Sequence, residues 1–106
     1  MKNGIYYVNF CSNNQDVGSG TVVVRDNTVN GGDYGYTYKG RINGDGVKLQ
    51  ISQHDKSARS VFPGVTNYNL DLKMQQVGEN YQLQGNIEGM PSAIIQANVK
   101  YIGDVI

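Results

Sequence analysis

Apolar and polar residues alternate with a period of two along most of this chain, a pattern suited to strands with one dry face and one wet face. Tyr34, Tyr36, Tyr38 and Ile42 interleave with Thr37, Lys39 and Arg41, and Val47, Leu49 and Ile51 with Lys48, Gln50 and Ser52. Tyr68, Leu70, Leu72 and Met74 alternate with Asn69, Asp71, Lys73 and Gln75. Further on, Tyr81, Leu83 and Ile87 alternate with Gln82, Gln84, Asn86 and Glu88, and Ala93, Ile95, Ala97, Val99 and Tyr101 with Gln96, Asn98 and Lys100. A one-residue slip would turn each apolar set to water, so these segments fix their own register. The first two segments, 4–12 and 17–25, are different. Ile5 and Tyr7 oppose Tyr6, Val8 and Phe10, and Val23 opposes Val22 and Val24, so the outer face is partly apolar and is expected to need a cover.

Short runs with turn chemistry separate the segments: Asp26-Asn27, Asn43-Gly44-Asp45-Gly46, Gly78-Glu79-Asn80 and Gly89-Met90-Pro91-Ser92. Sequential hairpins make a meander, and roughly seven or eight strands with one apolar face each avoid exposed edges by closing on themselves. The expected fold is all-β, a single domain over residues 1–106 forming a small antiparallel up-and-down barrel, with a two-sheet sandwich as the alternative. Gly18-Ser19-Gly20 has neither the following helix nor the lysine of a phosphate loop and reads as a bulge or bend in a strand. The connection from His54 to Val65 is too long for a hairpin loop. It is expected to be a longer loop or to hold a short helix, with Val61 and Phe62 plugging one barrel mouth.

Nine basic and nine acidic side chains cancel, so no whole-molecule field draws the chain to nucleic acid or to an anionic membrane. No apolar run approaches the roughly 20 residues that span a bilayer, and no membrane association is expected. Met1-Lys2-Asn3-Gly4 leads directly into a strand pattern, without the apolar stretch of a signal peptide, which makes the cytoplasm the expected location. Cys11 is the one cysteine and His54 the one histidine. That leaves no internal disulfide, too few ligands for zinc, and no nucleophile set beside a base and an orienting group. Asn43-Gly44-Asp45-Gly46 lacks the additional carboxylates of a calcium loop. No enzyme activity, metal or cofactor is expected.

Two features point to binding. Arg25, Lys39, Arg41, Lys48, Lys73 and Lys100 fall on outer strand faces, a belt that could serve single-stranded nucleic acid if aromatics stood beside it. Tyr34, Tyr36 and Tyr38 share the parity of core residues and are expected to point inward, so the belt reads as a solvated outer face. Turned inward, Tyr34, Tyr36, Tyr38, Tyr68 and Tyr81 would offer hydroxyls inside an apolar barrel and are candidate contacts for a small amphipathic ligand.

The run Gly18-Ser19-Gly20-Thr21-Val22-Val23-Val24-Arg25, followed by Gly31-Gly32-Asp33 and Tyr38-Lys39-Gly40, resembles the GrlR family of negative regulators of type III secretion genes. Asn3-Gly4-Ile5-Tyr6 is similar to that family's start, and the likeness reaches about two thirds of the chain. Its most specific part is Gly31, Gly32, Asp33, Tyr38 and Gly40 at fixed spacing. The resemblance implies a cytoplasmic, homodimeric, lipocalin-like barrel without enzyme activity, which represses transcription by binding an activator protein and makes no direct contact with DNA. The motif residues read as architectural: Gly31 and Gly32 for a tight reversal, Asp33 to cap its amides, Gly40 for room beside Tyr38. Where the family's namesake carries an acidic run that contacts the activator, this chain has Asn43-Gly44-Asp45-Gly46, leaving Asp45 as the one candidate partner contact.

Overall fold

The structure, a computed structural model, describes residues 1–13, 15–59 and 65–106. Eight strands follow in chain order: β1 (Gly4–Ser12), β2 (Gln15–Arg25), β3 (Thr28–Gly32), β4 (Tyr36–Asn43), β5 (Gly46–Gln53), β6 (Asn67–Val77), β7 (Asn80–Ile87) and β8 (Met90–Gly103). Each pairs antiparallel with the next, and β8 returns to pair antiparallel with β1. This closure excludes the sandwich and leaves no strand edge unpaired. The β2–β3, β4–β5 and β6–β7 turns lie at one end of the barrel, here called the lower end. The other connections lie at the upper end.

The period-two pattern lands as the sequence dictates. Tyr6, Val8, Phe10, Val22, Val24, Val47, Leu49, Ile51, Leu70, Leu72, Leu83, Ile95, Ala97 and Val99 are all buried in one interior cluster. Their strand neighbours face water. Asp26 and Asn27 close β2–β3 with φ of 51° and 62°, the paired left-handed geometry of a type I′ turn that matches strand twist. Gly18 sits opposite Phe10 where the β1–β2 register shifts, so the glycine-rich run is a bulge.

Several expectations are corrected. The β7–β8 turn is Glu88-Gly89 alone, and β8 starts at Met90. Asn86 pairs with Ile94 while Ile87 pairs with Met90, and Pro91 is tolerated inside that irregularity because no ladder bond needs its missing N–H. Gly31 and Gly32 make no reversal; both belong to β3. A Cβ on Gly31 would lie 2.1 Å from the Thr21 carbonyl oxygen, so this inward position is glycine because β2 passes too close for a side chain. Gly40 makes room for the Lys48 carbonyl oxygen, at 2.0 Å from a Cβ placed there, and Gly20 is the glycine set against Tyr38. In the long connection, Ala58 N–H donates to the Asp55 carbonyl at 3.0 Å, forming one turn. No helix occurs among the described residues. Val61 and Phe62 lie outside them.

The outer face of the first strands stays partly exposed among the described residues. Tyr7 is 42% exposed and Val23 36%, and Ile102 beside them on β8 is 53% exposed.

Candidate functional site

The barrel interior divides into two unlike halves. At the lower end Tyr6 meets Tyr81 and Tyr101 edge to face, with ring centroids 6.0 and 5.6 Å apart. The Tyr6 hydroxyl donates to the Lys2 carbonyl at 2.6 Å, and the Lys2 ammonium lies 4.3 Å from the centre of the Tyr101 ring. Burial first, then Tyr81, pushes the Tyr6 phenol up to about 12. Between this cluster and the barrel's middle only a void of about 20 Å³ remains, walled by residues such as Val8, Val24, Leu49 and Val99. The lower half is filled by its own side chains.

The upper half is open. A cavity of about 280 Å³ lies within it, walled by Phe10, Val17, Gly18, Ser19, Ile51, Leu70 and Ile95 on the apolar side and by Asp33, Tyr34, Tyr36, Tyr38, Tyr68 and Arg59 on the polar side. Its existence follows from side-chain size. β2 contributes only Val17, Gly18 and Ser19 to the upper wall, where bulky residues would be needed to close it.

Asp33 organises the polar wall. Its Oδ1 accepts the Gly35 and Tyr36 N–H groups, each at 2.8 Å, turning the chain from β3 into β4. The amides it caps are those of the β3–β4 turn rather than of a reversal at Gly31-Gly32. Its Oδ2 accepts the Tyr38 hydroxyl in a short hydrogen bond. The Tyr38 ring packs edge-on against Phe10 at 5.3 Å. Burial, followed by the Asp33 carboxylate, holds the Tyr38 phenol far above its ordinary range. Tyr68 is pushed up to about 12 by burial, then by Tyr36 and Asp33. The Tyr36 hydroxyl donates to the Arg59 carbonyl at 3.0 Å. His54 Nε2 lies 2.9 Å from the Asp33 carbonyl oxygen, a group that only accepts, so that nitrogen carries the proton. His54 and Gly35 backbone atoms also pair at 2.8 Å, tying the long connection to the β3–β4 turn.

Of the tyrosines expected to line the interior, Tyr36, Tyr38 and Tyr68 converge on the cavity. Tyr34 is 75% exposed and reaches only the rim, because it lies in the turn before β4, where strand parity does not yet apply. Tyr81 is buried but belongs to the lower cluster. Asp45 is exposed in the β4–β5 turn, at the far end of the barrel from the cavity mouth. Arg59 was not foreseeable, since a loop residue gives no periodic signal. Asp33 as a partner for Tyr38 could have been read from their five-residue spacing across a turn into an inward-facing strand.

Cys11 Sγ lies 3.4 Å from Asn9 Oδ1 and shares no partner with His54. Among the described residues no three of the His, Cys, Asp and Glu side chains gather as a metal site would require. No helix among them is long and apolar enough to cross a membrane. No protein-family model and no curated protein matches the chain.

Proposed function

We propose that this protein is a noncatalytic binder that holds a small amphipathic molecule in the upper half of its barrel. The observation that carries the reading is the cavity of about 280 Å³, at the small end of the roughly 300–1,000 Å³ typical of ligand pockets, with apolar walls and polar groups gathered on one side. The raised phenols favour binding over proton transfer. They stay protonated far from neutral pH, whereas a general base needs a pKa near the working pH. Native mass spectrometry of freshly purified protein tests the reading, together with fluorescence of anilinonaphthalene sulfonate added to the delipidated chain. A bound mass, or dye binding abolished by Val17→Trp at the cavity wall, is the expected result. Bare chain mass together with dye fluorescence that ignores Val17→Trp would sink it.

A second reading follows from the resemblance to the GrlR family: regulation through protein contacts, by sequestering a transcription activator in the cytoplasm, as a homodimer. The apolar outer patch of Ile5, Tyr7, Val23 and Ile102 across β8, β1 and β2 supports it. The position of Asp45 in an exposed turn is compatible with a partner contact, although one carboxylate supplies little field. Light scattering of the parent and of Tyr7→Ser/Val23→Ser tests the dimer. A monomeric parent would remove that part of the reading, and an unchanged mass in the double variant would place the contact elsewhere.

A further inference from the structure

The outer face running from β2 to β6 carries five exposed cations in adjoining register positions. Arg41 on β4 stands directly opposite Lys48 on β5. Lys39 shares that face two residues from Arg41. Thr28 pairs with both Arg41 and Arg25, which brings Arg25 into the same row, and Lys73 of β6 pairs with Gly46 at the other end. Asp71, opposite Lys48, and Asp16, near the start of β2 and at the other end of that strand from Arg25, are the two exposed carboxylates on these five strands. No hydrogen bond or ion pair among the described residues engages the side chains of Lys39, Arg41, Lys48 or Lys73. Arg25 donates to the Ile106 carbonyl at 2.9 Å.

Like charges directly opposite each other across a strand pair destabilise a sheet. Arg41 and Lys48 hold that arrangement although a threonine, not an acid, flanks Arg41 on its other side. In a chain with nine acids and nine bases, the clustering is a matter of placement rather than composition.

We infer that this face docks an acidic polypeptide segment. Charge complementarity argues for an anion, and the arginine forks suit carboxylates, which they can bind through two parallel hydrogen bonds. The row from Arg25 to Lys73 crosses four strand spacings of about 4.8 Å, or about 19 Å, which an extended segment of about six residues covers. The outward side chains of β2 to β6 include no aromatic residue, so a single-stranded nucleic acid would find no surface on which its bases could stack. The inference stands independently of the cavity.

Fluorescence anisotropy with a labelled peptide of alternating glutamate and aspartate tests it. Binding is expected at low ionic strength and should weaken at least about tenfold near physiological salt, where screening acts over about 8 Å. R41Q/K48Q should weaken binding about tenfold and melt close to the parent temperature, since the Arg41–Lys48 repulsion and the Lys48–Asp71 attraction are lost together; Lys100→Gln, outside the row, should change little. Lys39→Gln provides a second probe of the row should the double variant fail to fold. The proposal is overturned by absence of peptide binding at low salt, by equal losses in R41Q/K48Q and Lys100→Gln, or by tighter binding of an oligothymidylate of equal charge.

Discussion

At the scale of single residues, the inward glycines govern shape and Asp33 governs the site. Gly40 faces the interior where a side chain was to be expected from parity, and a Cβ there would lie 2.0 Å from the Lys48 carbonyl oxygen and 2.8 Å from Leu49 Cδ2. Gly40→Ala must therefore push β4 off β5, at a cost of about 2 kcal/mol or more in urea unfolding. Gly103, with nothing within 4 Å of its Cβ position, gives the contrast: Gly103→Ala should stay within about 0.5 kcal/mol of the parent. Tyr38→Phe removes the donor to Asp33 Oδ2 while the two amide donors to Oδ1 remain. A partly buried carboxylate deprived of one hydrogen bond predicts a loss of about 1–2 kcal/mol, read from the same unfolding curves. The importance of these residues was visible in the Gly31-Gly32-Asp33 motif, but their reasons were not. Spacing along a chain does not reveal how closely the neighbouring strand passes.

At the scale of elements, the alternation of large apolar and polar residues located every strand from β4 to β7, because one dry face leaves a single workable register. It failed where the chain is not yet a strand, at Tyr34, and where a strand continues through a proline, at Pro91. The upper cavity was only half legible. The tyrosines were recognisable as a set, but their division between an open upper half and a packed lower half depends on where Val17, Gly18 and Ser19 fall around the ring of strands. The β2–β3 turn offers a test of hairpin geometry. Asn27 sits at φ 62° in the second central position of a type I′ turn, the place where glycine is most favoured. Asn27→Gly should leave stability unchanged or raise it by about 0.5 kcal/mol, whereas Asn27→Val should lower it by about 1–2 kcal/mol, as thermal melts of the two variants would register.

At the scale of the whole molecule, closure through β1 and β8 makes both ends of the barrel depend on one cooperative interior, and each end buries phenols that must remain neutral. Tyr6 at the lower end and Tyr68 at the upper both rise from the ordinary value of 10 to about 12, and Tyr38 rises further. The folded state thus favours protonated tyrosine more strongly than the unfolded chain does. The stability this contributes is fully present below pH 10 and is lost as pH climbs from about 10 through about 12. Ultraviolet titration of phenolate, followed beside the β-sheet circular dichroism, reads this loss directly. Tyr6 and Tyr68 should ionise in a steep phase coincident with loss of the sheet signal. Because Tyr6 and Tyr68 stand at opposite ends of a single closed sheet, Tyr6→Phe and Tyr68→Phe should each shift this unfolding phase to higher pH. Independent behaviour of the two ends would instead split it into two phases, in conflict with a barrel whose strands all pair in one continuous ring.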